Sequence, residues 1–263
     1  APGPMTVRDG VQVSQLAPPA ALQDLTIASV ASDGTTVIAI AGGSAWDFAS
    51  GKPLHAPGAS ELARAVATPF GLVLLTRDGA LAGIREQRLV RGVPKNDPTL
   101  RLAPATGKTP AVWLYGIHTW LAWQPLDGSS GLTFEISGAE ASTSTITCLV
   151  PAGADMLMAR GRRIDRLSLF PEVETHFSVQ PVLILPEDGL PILGLAELGG
   201  RLVFATAAAI YTLEGRLVAP LVEGLGGPLH PWRGGLLTHD ARTQQLYHLT
   251  GAALTPITRE DQP

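Results

Sequence analysis

Apolar residues recur in this chain at one pair of offsets, four times over. Leu75 is followed by Leu81 and Ile84, Leu114 by Trp120 and Trp123, Met158 by Ile164 and Leu167, and Phe204 by Ile210 and Leu213, always at +6 and +9. Two residues before each first anchor stands another apolar residue: Val73, Val112, Met156 and Leu202. Alternation of period two is the mark of a strand with one buried face. Two further segments fit with edits. Ile40 leads to Trp46 and Phe48, and Leu237 leads to Leu246 and Leu249 once three residues are inserted after His239. Gly34, Gly71, Gly153, Gly200 and Gly235 open most copies, where a tight hairpin excludes a Cβ. A short apolar strand precedes them, as in Leu25–Val30, Ala63–Ala67, Ile146–Val150 and Ile192–Leu195.

Positions 34, 71, 110, 153, 200 and 235 open the second strand of each unit, at intervals of 37, 39, 43, 47 and 35 residues. A unit of about 40 residues holding three or four short strands is the blade of a β-propeller. The expected fold is therefore all-β, a single six-bladed propeller. Its blades are expected at about 24–58, 59–98, 99–138, 139–179, 180–226 and 227–263, after an N-terminal segment of residues 1–23. Residues 5–16 are expected to close the last blade as its outer strand, because open sheet edges are costly. The alternative is that Ala252–Ile257 forms that strand and the N-terminus only packs beside it.

Composition narrows the classes. Of 263 residues, 45% are apolar and 16% charged, which excludes a disordered chain. The richest apolar stretches, Val37–Ala41 and Val182–Leu185, have the length of strands and not of a membrane helix. The lone Cys148 excludes an internal disulfide and any multi-cysteine zinc site. A net charge of −4 gives no reason to expect nucleic acid. The chain opens Ala1-Pro2-Gly3-Pro4-Met5, with neither a basic region nor an apolar h-region. Either Ala1 follows a cleaved signal peptide or Met5 is the natural start; the missing leading Met favours the cell envelope over the cytoplasm.

Trp46-Asp47, followed by Ser50-Gly51-Lys52 and Leu54, resembles the Trp-Asp dipeptide and connecting turn of the WD40 pattern. Gly42-Gly43 with Trp46 also looks like a Kelch motif. The whole chain is similar, at the level of fold, to bacterial WD40-like and quinoprotein-like propellers. Such folds host scaffolds, hydrolases, lactonases and lyases alike.

Propeller geometry indicates where function can sit. The blade-to-blade loops carry Asp24, Glu61, Asp97, Glu140, Glu187, Asp188 and Glu223, at least one acid per junction. Carboxylates converging at the channel mouth would offer oxygen ligands to Ca²⁺. That arrangement resembles the metal sites of six-bladed lactonase-like propellers, and Glu61, Asp97, Glu140, Asp188 and Glu223 are the ligands it implies. The bland reading of the same acids is a solvated rim. His239-Asp240 lies in the one inserted turn and pairs a possible general base with a carboxylate, or simply forms an Asx turn. Arg162 and Arg163, within a cluster that includes Arg160 and Arg166, are candidates for a small anion or glycan. Asp155, Asp165, Glu172 and Glu174 are near enough in sequence to neutralise them. Trp120 and Trp123 fall on the repeat's buried positions. Trp113 alternates out of phase with Val112 and Leu114, and with Tyr115 and His118 it marks a candidate partner-binding edge. Nucleophile elbows, metalloprotease histidine pairs and phosphate-binding loops are absent from the sequence.

The expectation is a non-enzymatic interaction or assembly module of a bacterial complex, with a protein partner and no cofactor. The alternatives are a Ca²⁺-dependent hydrolase or lactonase and a propeller that binds a small anion or glycan.

Overall fold

The computed structural model describes residues 4–55, 61–83, 88–90, 97, 99–136, 145–169 and 177–255. Two short strands lead the chain, Thr6–Val7 (β1) and Gln12–Leu16 (β2). The first blade is Ile27–Ser32 (β3), Val37–Ala41 (β4), Ser44–Asp47 (β5) and Pro53–Leu54 (β6). The second is Leu62–Thr68 (β7), Gly71–Thr76 (β8), Leu81–Gly83 (β9) and Arg88–Val90 (β10). The third is Arg101–Pro104 (β11), Ala111–Tyr115 (β12), Trp120–Pro125 (β13) and Leu132–Glu135 (β14). The fourth is Ile146–Ala152 (β15), Asp155–Arg160 (β16), Arg163–Leu169 (β17) and Phe177–Ile184 (β18). The fifth is Gly194–Leu198 (β19), Arg201–Ala205 (β20), Ala209–Glu214 (β21) and Leu217–Glu223 (β22), and the sixth is Leu229–Trp232 (β23), Gly235–His239 (β24) and Leu246–Thr250 (β25). Each blade is an antiparallel meander, so the chain is an all-β, six-bladed propeller.

The repeat offsets have a simple structural meaning. Met158 on β16, with Ile164 and Leu167 on β17, packs against the neighbouring blades, as do the described equivalents in the other blades; Ile84 lies outside the described residues. Six apolar clusters fill the six blade-to-blade interfaces. One lies between the third and fourth blades and one between the fifth and sixth. The others lie between the second and third, the first and sixth, the fourth and fifth, and the first and second. A blade therefore buries both faces, and a middle strand such as β12 has all five residues buried. Backbone bonds repeat between blades too. Leu62 N–H donates to the Gly43 carbonyl (2.8 Å), Ile146 to His118 (2.9 Å) and Ile192 to Gly161 (2.7 Å). Each joins the start of one blade to a turn of the blade before it.

The hairpin glycines serve two different needs. Gly200 sits at φ 87°, a region that disfavours a side chain. Gly235 does not; there a Cβ would stand 2.1 Å from the Leu249 carbonyl oxygen, so close approach of β25 excludes it.

Ring closure joins the first blade to the sixth. Gly34 bridges Trp232, Arg233 N–H donates to the Gly34 carbonyl (2.9 Å) and Trp232 Nε1–H to the Thr35 carbonyl (2.9 Å). The N-terminal segment closes the last blade, but over a shorter span than expected. β2 pairs with β25 from Gln12↔Thr250 to Leu16↔Leu246, while β1 pairs with β22 of the fifth blade. Asp9 and Gly10, at φ 54° and 69°, let the chain step from one blade edge to the next, and Val11 is buried beyond the step. Ala252–Leu254 is a single 3₁₀ turn and not the alternative outer strand. The fourth blade also runs past the expected boundary at residue 179, because β18 continues to Ile184.

Candidate functional site

Six inner strands, β3, β7, β11, β15, β19 and β23, surround a cavity of about 540 Å³ on the propeller axis. Its wall is mostly apolar, with Val30, Val66, Leu102, Leu149, Leu195 and Leu229 among the lining residues. A β-bulge falls at the same point of the first, second and fourth inner strands, between Ile27 and Ser29, Leu62 and Arg64, and Ile146 and Cys148. Bulges re-aim side chains, and Ser29, Arg64 and Cys148 all line the channel. Arg64 and Arg101 are its cations, and Glu197 is its one carboxylate among the described lining residues.

The channel suppresses ionisation of its weaker acids. Burial pushes the Cys148 thiol up to about 12, which leaves it neutral and poorly nucleophilic. Burial also raises the Tyr115 phenol, with Cys148 adding to the effect. His230 is lowered to about 4, first by desolvation and then by the neighbouring His239. His239 is lowered mainly by burial, although Asp240 and Gln244 pull the other way. A histidine whose folded value lies below its ordinary 6.5 stabilises the fold fully above pH 6.5. That contribution is lost as pH falls from 6.5 towards 4, because the unfolded chain takes up the proton first. Since the ring is only partly buried, about 2 kcal/mol is the expected scale. Urea unfolding of wild type and His230→Gln at pH 7 and pH 5 will show the wild type losing more stability; equal losses would refute this assignment.

The residues singled out from sequence do not converge. Glu61 is exposed and pairs with Arg77 (2.6 Å), and Glu223 ends the outer strand β22 and pairs with Arg8 (3.4 Å). Asp97 accepts from Thr99 N–H (2.8 Å) and Oγ1–H (2.5 Å) in a local turn. Asp188 is exposed in the loop after β18, and Glu140 lies outside the described residues. Among the described residues no three His, Cys, Asp or Glu side chains are grouped to hold a metal ion. The described acids of this set thus stand in separate pairs, turns and loops.

Asp240 is buried and bonds inward. It accepts from Gly226 N–H (3.2 Å) with one oxygen and from Thr243 N–H (2.9 Å) and Oγ1–H (2.7 Å) with the other. It shapes the inserted turn and holds it against the link between the fifth and sixth blades. His239 nevertheless faces the channel, and its buried Nε2 has no hydrogen-bond partner among the described residues.

The arginine cluster is likewise turned inward. Arg163 pairs with Asp165 (2.7 Å), as does Arg160 (3.0 Å), and Arg166 faces Asp155 (3.6 Å) and Glu197 (3.8 Å). Arg162 donates to the carbonyls of Pro186 and Leu190, which fixes the loop after β18. Arg162 and Arg163 thus do not form the expected anion site. Glu172 and Glu174 lie outside the described residues.

The aromatic edge also needs correction. Trp113 is 2% exposed and packs on Phe134, with ring centroids 6.0 Å apart, while Tyr115 faces the channel at 7% exposure. Only His118 is exposed, in a turn at φ 47°. Alternation of period two marks an exposed side chain only where one face of a sheet meets water, whereas β12 lies between two neighbouring blades.

A surface that sequence reasoning passed over is the outer edge of the fourth blade. β18 is eight residues long, contains no charged side chain, and has nothing paired along its outer edge among the described residues. Val182 and Ile184 are 37% and 60% exposed, and Leu190 in the following loop is 48% exposed. By contrast β6, β10 and β14 are two, three and four residues long, and β22 and β25 carry β1 and β2. The sequence signal was the uncharged run Phe177–Leu185, interrupted only by Pro181.

No protein-family model matches the chain, and no curated protein sequence matches it. Solved structures do. The chain is similar to a candidate gluconolactonase (TM-score 0.64, 12% identity, 96% of each chain covered). It is also similar to the β-propeller domain of Cps50 (Swd1) from Myceliophteria thermophila (TM-score 0.54, 16% identity, 84% of this chain and 82% of that one). A third likeness is to the extracellular domain of a candidate one-component system, BT4673 of B. thetaiotaomicron (TM-score 0.56, 9% identity, 83% of this chain and 32% of that one). At such identities the likeness shows a shared propeller fold and no shared activity. Among the described residues no helix is long and apolar enough to cross a membrane.

Proposed function

We propose that this propeller is a non-enzymatic interaction module, and that it holds a partner protein by adding an extended segment of that partner to β18. The observation that carries this reading is the long, uncharged, unpaired edge of the fourth blade. Proteins normally blunt such edges with charge, proline, a bulge, short length or a cover; β18 has Pro181 and a register shift against β17, but neither charge nor cover among the described residues. Three of the other outer strands are short, and the N-terminus covers β25 with β2 and the end of β22 with β1. The outer edges of the ring thus accept an added strand, the mode in which main-chain bonds give affinity and alternate side chains give specificity. Val182, Ile184 and Leu190 supply an apolar margin beside that edge.

The test is capture from an extract of the source organism, with wild type and a Val182→Lys, Ile184→Lys variant as parallel baits. Both sites are exposed, so the variant will keep its melting temperature. A near-stoichiometric partner retained by wild type and lost from the variant is the expected result. The same partner on both baits, or none on either, would overturn the proposal. The pairing of Glu61 and Glu223 with arginines, and Glu197 as the one carboxylate among the described channel-lining residues, favour this reading over a metal-dependent one.

A further inference from the structure

Among the described residues, Arg160, Arg163, Arg166 and Arg201 have carboxylate partners. Arg160 and Arg163 share Asp165, Arg166 has Asp155 and Glu197, and Arg201 has Glu214 (3.2 Å). Arg64 and Arg101 are different. They stand on the neighbouring inner strands β7 and β11 and line the channel together. Arg64 donates through Nη1 to the carbonyls of Ala63 (3.0 Å) and Ala28 (3.3 Å), and among the described residues neither arginine has a carboxylate in ion-pair reach. Burial, and Arg101 after it, lower the Arg64 guanidinium from its ordinary value. Arg64, half-buried, and Arg101, exposed, thus bring two positive charges to a mostly apolar channel with no counter-ion among the described residues.

A second feature points into the same space. The sixth blade is opposite the third in the ring, and from it His239, 7% exposed, lines the channel, its buried Nε2 without a hydrogen-bond partner among the described residues. Buried polar atoms are nearly always hydrogen-bonded, so an exception beside a cavity marks a place for a ligand atom. The volume of about 540 Å³ suits a small molecule.

We infer that the axial channel binds a small organic carboxylate, its anionic end held by Arg64 and Arg101 beside Tyr115, its body along the apolar wall, and a polar atom reaching His239. Planar guanidinium groups match a carboxylate in fork geometry, and the surrounding low dielectric strengthens each bond. Nothing in the edge proposed for the partner protein is used, so the two sites stand or fall separately.

Isothermal titration with succinate, benzoate and phenylacetate tests this, with benzamide, phenylacetamide and inorganic phosphate as comparisons. At least one carboxylate will bind, about tenfold or more tighter than its amide, and binding will weaken about tenfold in Arg64→Gln and in Arg101→Gln. Arg101 is exposed and has no hydrogen-bond partner among the described residues, so Arg101→Gln keeps the test valid if Arg64→Gln folds poorly. Affinity will fall with added salt. The inference fails if no carboxylate binds, if amide and acid bind alike, if Arg101→Gln leaves affinity unchanged, or if phosphate alone binds.

Discussion

Asp165→Ala will lower the free energy of unfolding by about 3–5 kcal/mol, the loss typical of removing one partner from a buried ion pair. Asp165 is fully buried on β17 and accepts from Arg160 Nη2–H (3.0 Å) and Arg163 Nε–H (2.7 Å). Those arginines face each other in register across the β16–β17 hairpin, where like charges repel. One carboxylate therefore bridges two cations, and Arg160, 5% exposed, has little access to solvent. The residue also sits at the irregularity where the β17–β18 register shifts, so the outer strand depends on it. If the cost is that of an orphaned charge, Arg160→Met with Asp165→Ala will recover most of the loss, a coupling that a double-mutant cycle measures. A double variant no more stable than Asp165→Ala would mean that packing alone sets the cost.

Trp113→Ala will cost about 3–5 kcal/mol through the cavity it leaves. Trp113 belongs to the cluster that joins the third blade to Met156, Met158 and Leu167 of the fourth. It contacts Phe134, which in turn meets Phe177, the first residue of β18, edge to face at 6.0 Å. Urea denaturation will show a lower midpoint with an unchanged slope, the signature of lost stability in an otherwise similar fold. A partner-contact tryptophan would behave differently: stability would hold and only binding would suffer. Stability equal to wild type would restore the exposed reading of this residue.

The fold was legible because a propeller repeats one energetic problem six times. Each blade must bury apolar residues against both neighbours, and the +6 and +9 anchors register that need in every copy. The same fact defeated the reading of Trp113, since alternation identifies a solvated face only when one face is solvated. Val37–Ala41 and Val182–Leu185 have near-equal hydrophobicity, yet Val37–Ala41 is wholly buried within the first blade and Val182 and Ile184 lie at an exposed edge. Strand order in the blade, and not composition, separates them. Arg64 and Arg101 escaped notice because single charges in apolar strands carry no motif; the inner-strand bulge that re-aims Arg64 is a three-dimensional event. Glu61, Glu223 and Asp97 were conspicuous in sequence but are bound to arginines or a turn, which local spacing does not reveal.

The measurement that tests the account most directly is amide hydrogen exchange on the bait, free and with its captured partner. Strand addition to β18 predicts slowed exchange over residues 177–184, with little change at β22 and β25, against which β1 and β2 respectively already pair. Protection confined to any other surface, with residues 177–184 exchanging as in the free protein, would contradict the central claim.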